Sequence, residues 1–260
     1  MLNFLKNHPF AVETHFDSST VLTFAVPKEQ LESLIPTCLS LDTFEDAFQK
    51  TWAFVAVAMV DTKGLRPKGL PAFMGNDFFL IGYRIFVRYT TQAGKKLRGL
   101  YIIKSETNKK KMEFFGNIFT HYNYTTTDIT TTSQLNTQII ESKKSNFRLC
   151  IEQTREQIHE TLADKTSNKI QLPEKSPFAD WKQARRFAGP LPFTFTYQEK
   201  TKTVLIIEGV RQNWQPQPIE VISYEFEFLN SLQLQDVVLA NAFEIKNIPY
   251  YWKKGKLEKL

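Results

Sequence analysis

From Phe79 to Tyr89 the chain alternates strictly enough to fix a β-strand and the face it buries. The odd positions, Phe79, Ile81, Tyr83, Ile85, Val87 and Tyr89, are all apolar or aromatic, the period of two that a strand with one face on a core requires. The even positions, Leu80, Gly82, Arg84, Phe86 and Arg88, suit neither a core nor an ordinary solvated surface. Such a mixed face either lines a cavity or lies at a sheet edge under a loop. Just upstream, Gly64, Pro67, Gly69, Pro71 and Gly75 crowd into a dozen residues. That half of the stretch reads as a shaped loop rather than a strand or helix.

Further strands follow the same logic. Ser18 to Val26 is β-rich and stops at Pro27, after which Leu31, Leu34 and Ile35 suggest a short amphipathic helix. A buried strand is expected from Thr51, and the apolar run Trp52 to Val60 is far below the roughly 20 residues that span a bilayer. A hairpin signal at Gln92 to Gly94 returns the chain antiparallel along Leu97 to Ser105. Met112, Phe115, Ile118 and Phe119 recur at helical spacing behind a Thr107 or Asn108 cap, with Lys109 to Lys111 opposing the helix dipole at its start. From His121 the pattern reverts to strand, through Thr125 to Thr132, Gln138 to Ser142 and Phe147 to Gln153.

The polar stretch 154–176 reads as a variable, partly helical excursion, and Ser176 to Gly189 as a capped amphipathic helix. Three strands then follow at Phe193 to Tyr197, Thr203 to Val210 and Tyr224 to Phe228. Glu225 and Glu227 are read as the solvent side of the last. No period of 20 to 50 residues repeats. Many strands with few helices predict a mainly β (α+β) architecture, a barrel or curved double sheet, built as a single domain over 1–260 with a basic tail at 253–260.

Composition narrows function by exclusion. With 260 residues, 42% of them hydrophobic, the chain can bury a sizeable core without staples. Cys38 and Cys150 are far apart and form no CxxC, and His8, His15, His121 and His159 show no metal-ligand spacing, so neither a disulfide framework nor a metal site is expected. The two distant cysteines fit a reducing cytoplasm, and the start, MLNFLKNHPF, breaks the apolar core a signal peptide would need. Net charge is +6, but the lysine clusters come with no nucleic-acid reading motif and are read as solvated surface. GxGxxG, P-loop and GxSxG patterns are absent. No cofactor, nucleic-acid or membrane partner is expected, and homo-oligomerisation is left open.

Several runs in fixed order carry a resemblance. IPTCLSLDTFEDAFQKTWAFVAVAM, GLRPKGLP, GYRIFVRY, GKKLRGLYIIKSET and the late RQNWQPQPIEV resemble the YqjF-like uncharacterised family DUF2071, from about Phe10 to Trp252. That family is similar in fold to acetoacetate decarboxylase, which implies a β-rich, cone-shaped barrel around a central cavity. The decarboxylases work through a lysine that condenses with the substrate ketone, and such an amine must be neutral near pH 7. Their lysine follows the helix in a Gly-x-Pro-Lys-Lys passage. Here the matching passage runs from Gly116 to Tyr122 without a lysine. Relatives also show Glu-x-Asn-x-Arg on the central strand, where this chain has Leu80, Gly82 and Arg84, so the carboxylate is lost and the arginine kept.

Arg84 is therefore the leading candidate, either binding the carboxylate of a small acid through two parallel hydrogen bonds or pairing a buried carboxylate of the barrel. Leu80, Gly82, Arg88, His121 and Tyr122 complete the candidate cavity wall, His121 and Tyr122 pointing to opposite sides. The functional expectation is a cavity protein that binds a small anionic or carbonyl-bearing molecule without the Schiff-base lysine. The alternative is an enzyme acting on a small oxo acid by a non-Schiff-base mechanism.

Overall fold

The computed structural model describes residues 4–134, 136–152, 172–212 and 214–260, so most of the expected 154–176 excursion lies outside the described residues. Four long antiparallel strands form its backbone: β1 (Val12–Pro27), β2 (Thr51–Pro67), β3 (Asn76–Thr90) and β4 (Lys96–Thr107). Helix α1 (Lys110–Phe119) follows. The small strands β5 (Thr130–Gln134), β6 (Thr137–Ser142) and β7 (Phe147–Glu152) come next, then α2 (Trp181–Ala188). The chain finishes with β8 (Phe193–Gln198), β9 (Thr203–Arg211), β10 (Val221–Phe226), the short α3 (Glu227–Ser231), β11 (Val238–Trp252) and β12 (Lys256–Lys259).

In the large sheet the strands lie in the order β11-β1-β2-β3-β4-β8-β9, and β9 pairs in turn with β11 through Gly209–Arg211 and Tyr250–Trp252. The sheet thus closes on itself, and the one parallel junction on this path is β4 with β8. The second sheet, in the order β10-β7-β6-β5, is antiparallel throughout.

The two faces of β2 and β3 explain their sequences. Val57, Met59, Ile81 and Tyr83 pack with Leu149, Ile151 and Phe226 of the small sheet, so the odd face of β3 is core, as the alternation requires. Farther along, Ile85, Val87 and Tyr89 join a second cluster with Leu31 and Phe195. Ala56, Ala58 and Val60 on the other face of β2 line a cavity. Covered on both sides, β2 needs no polar alternation and reads as a continuous apolar run.

Several local expectations change. The strand β2 continues to Pro67, because Gly64 (φ +62°) forms a bulge and not the start of the loop. Asp77 Oδ1 accepts the Gly64 N–H at 2.7 Å, and Gly75 lies so near Gly64 that a Cβ there would come within 2.6 Å of the Gly64 Cα. The helix after Pro27 is two 3-10 turns, Lys28–Gln30 and Glu32–Leu34. The N-cap of α1 is Lys109, with no side-chain cap. Thr107 and Asn108 are engaged elsewhere, the Thr107 hydroxyl donating to the Phe79 carbonyl and Asn108 Oδ1 accepting the Phe79 N–H. His121–Asn123 is not strand, and β10 ends at Phe226, so Glu227 opens α3 instead of sharing a strand face with Glu225. Helix α2 forms as expected, with Asp180 accepting the Gln183 N–H at 2.7 Å. No helix among the described residues is long and apolar enough to cross a membrane.

Candidate active site and binding cavity

A cavity of about 580 Å³ lies on the even face of β3. Asn76, Phe78, Leu80, Arg84 and Phe86 line it in succession along the strand, which is what alternation does to residues sharing one face. Arg84 sits opposite Ala56 of β2 and Ile102 of β4. Its guanidinium folds back over Gly82: a Cβ on that glycine would meet Arg84 Nε at 3.2 Å and a terminal nitrogen at 3.3 Å. The missing side chain at Gly82 is thus the space the cation occupies.

Arg84 borders the cavity but is otherwise enclosed by protein, and its Nε is buried without a hydrogen-bond partner. Among the described residues no carboxylate lies in ion-pair distance of it. Burial pushes its pKa below the ordinary guanidinium value, while Tyr124, Tyr250 and Tyr122 act in the opposite direction. An arginine nonetheless stays protonated in a protein. The cavity therefore holds a cation that no carboxylate among the described residues neutralises.

Three phenols accompany it. Burial raises the pKa of all three, that of Tyr124 to about 12, and the nearby Arg84 draws each back only in part. At neutral pH they remain O–H donors. Tyr122 and Tyr124 lie with ring centroids 6.0 Å apart. Tyr124 is fixed by α1: its N–H donates to Asn117 Oδ1 at 2.7 Å, and the Asn117 amide donates to its carbonyl at 2.9 Å. Gly116 makes this possible, since a Cβ there would lie 2.5 Å from the Tyr124 ring. Thr194 of β8 lies beside Tyr122 and acts against the effect of burial on its pKa. Tyr250 of β11 stacks on Phe16 at 4.8 Å and lies beside Arg211, whose guanidinium sits 4.2 Å over Trp214.

The sequence-based candidates divide. Leu80, Arg84 and Tyr122 line the cavity, and Gly82 lies under the guanidinium. Arg88 does not reach it. It continues past Phe86 to pair with the fully buried Asp42 at 2.5 Å, and Arg98 pairs with the other oxygen of that carboxylate at 2.6 Å. His121 also turns away, its Nε2 lying 3.0 Å from Asn7 Oδ1. Between His121 and Tyr122 it is the tyrosine that faces inward. Tyr124, Thr194, Arg211 and Tyr250 were missed. Tyr124 could have been found from its i+2 spacing to Tyr122, but Thr194 and Tyr250 arrive through sheet pairings no local pattern announces. Lys111 is the one lysine among the described lining residues, and it is exposed on the first turn of α1. No cluster of three or more His, Cys, Asp or Glu able to hold a metal occurs among the described residues.

The closed sheet around this cavity is an acetoacetate decarboxylase-like fold. It superposes on acetoacetate decarboxylase from Legionella pneumophila subsp. pneumophila str. Philadelphia 1 with a TM-score of 0.58 at 11% identity, over 96% of this chain and 87% of that one. An acetoacetate decarboxylase-like enzyme from Sphingomonas wittichii RW1 gives 0.53 at 11% identity, over 98% and 94%. The chain belongs to the DUF2071 family, described as an uncharacterized conserved protein, whose model matches residues 14–255. A search of curated proteins finds no match to the sequence.

Proposed function

We propose that the cavity binds a small anionic or carbonyl-bearing molecule through Arg84, without covalent catalysis. The observation that carries this reading is the half-buried Arg84 on the cavity wall, its Nε enclosed and unpartnered, with no carboxylate partner among the described residues. An unpaired buried charge costs several kcal/mol, and a ligand carboxylate would offset that cost through a bidentate pair. Tyr122, Tyr124 and Tyr250 supply further donors for the same anion. The domain is read as one unit over 1–260. Enzymatic use of an oxo acid is the second reading, favoured by three protonated phenols beside one cation, a donor set suited to a developing oxyanion.

Calorimetric titration with pyruvate, acetoacetate and benzoate, each against its neutral amide, tests the proposal. The carboxylates are expected to bind at least tenfold tighter than the amides, and Arg84→Gln to abolish the difference. Gly82→Ala, which crowds the guanidinium by a few tenths of an ångström, is expected to weaken carboxylates several-fold while the protein stays folded. Equal binding of acids and amides would overturn the reading. Borohydride with acetoacetate should leave no lysine adduct, and a trapped adduct would contradict the non-covalent assignment.

A further inference from the structure

The cavity is much larger and more apolar than an acid of three or four carbons needs. Its roughly 580 Å³ equals about 19 water volumes at ~30 Å³ each, and a short oxo acid would displace only a handful of them. The polar groups are unevenly distributed. Arg84, Tyr122, Tyr124, Tyr250 and Thr194 gather around the guanidinium. From Gly82 back toward the start of β3, the same face carries Leu80 and Phe78, which pack with Phe16, Val60, Leu65 and Met112.

This apolar arm is long. At about 3.3 Å per residue the six steps from Gly82 to Asn76 cover roughly 20 Å. It ends at a mouth bordered by Leu70, Met74 and Phe115, which are 38%, 49% and 43% exposed and all line the cavity. Of the two lining cations nearer this end, Arg66 is matched by Glu13 at 2.7 Å and donates to the Leu70 carbonyl at 2.9 Å, while Lys111, exposed on α1 one turn before Phe115, is screened by water and holds an anion weakly. Arg84, without a carboxylate partner among the described residues, lies at the inner end, and exposed apolar side chains flank the entrance. A small polar acid would have no use for the latter.

We infer that the ligand is an amphiphile: a carboxylate held at Arg84, with a flexible apolar tail running over Leu80 and Phe78 toward the Leu70–Met74 mouth. This rests on the anion-binding reading above and adds the tail. Each buried methylene should strengthen binding, and the gain should stop when the tail emerges from the mouth. The exposed apolar rim then serves as the surface over which the tail enters.

The test is a titration of the full chain with straight-chain carboxylates from acetate to dodecanoate and the matching n-alkanols. Wild type, Arg84→Met and Met74→Glu are compared, the last exposed enough to leave the fold alone. The expected result is a gain of up to about fourfold per methylene through at least octanoate. Arg84→Met should cost the carboxylates tenfold or more and the alkanols little, and Met74→Glu should weaken the longest carboxylates but not the short ones. If short and long carboxylates bind alike and still depend on Arg84, the tail inference falls and the anion site stands. If alkanols match carboxylates and Arg84→Met changes nothing, the anion site falls and the amphiphile with it. Absence of binding by any member at millimolar concentration would overturn both.

Discussion

Arg84 and Arg88 stand four residues apart on one face of one strand, and the protein treats them in opposite ways. Arg88 meets a carboxylate: Asp42, fully buried, accepts from it at 2.5 Å and from Arg98 at 2.6 Å, while the two arginine side chains stay 45% and 35% exposed. Arg98 also donates to the Phe187 carbonyl and lies 4.6 Å over the Phe187 ring, tying α2 to the sheet. Arg84 meets three phenols and a cavity, with no carboxylate among the described residues. Identical chemistry thus serves as a clamp at one end of the face and as an unmatched charge in the middle. The difference teaches that arginine identity says little about role, and that the presence or absence of a buried counter-charge says much.

The largest expected effect comes from removing the counter-charge where it exists. Asp42→Asn leaves two guanidiniums facing a neutral amide and should lower stability by about 3 kcal/mol, the low end for a broken buried pair because both arginines are partly solvated. Urea denaturation measures it, and a loss under about 1 kcal/mol would mean that the clamp is ornamental and the contrast with Arg84 weak.

His8 sharpens the comparison from another side. It borders the same cavity, is 6% exposed, has an unpartnered Nδ1, and is driven by burial from 6.5 down to about 4. Unlike Arg84, it escapes an uncompensated charge by giving up its proton. Between about pH 4 and 6.5 the unfolded chain binds the extra proton, so the stability from neutral His8 is complete above 6.5 and lost as pH falls toward 4. The contribution is roughly 2 to 3 kcal/mol. Measured from pH 7 to 4.5, above the range where Asp128, held at about 2 by its Ser142 and Lys144 hydrogen bonds, takes up a proton, the decline should be visibly flatter in His8→Asn. Asparagine tolerates the positive φ of this position. An unchanged slope would remove His8 from the account.

Much of the fold was legible because period-two alternation is a local signal. Phe79 to Tyr89 gave both the strand and its buried face, and Gln92 to Gly94 gave the hairpin. Gly64 misled because one positive-φ glycine serves a bulge as readily as a loop, and only the Asp77 bond and the Gly75 contact distinguish them. In the candidate site, Leu80, Gly82 and Arg84 were visible as a face. The fate of Arg88 was not, since Asp42 arrives through the Ser40–Leu41 pairing with β3, a contact 46 residues away in sequence. His121 and Tyr122 could be placed on opposite sides by alternation, but which side was the cavity depended on Asn7 and Thr194, brought in from distant parts of the chain.

Without a carboxylate partner among the described residues, Arg84 should cost the free protein stability. The urea midpoint of Arg84→Met without ligand at pH 7 tests it most directly, because methionine keeps the apolar stem and removes the charge. This variant should be more stable than wild type, by about 1 to 2 kcal/mol, whereas Arg88→Met should be less stable. Destabilisation of Arg84→Met equal to that of Arg88→Met would contradict it, for Arg84 would then be one more structural cation in the wall.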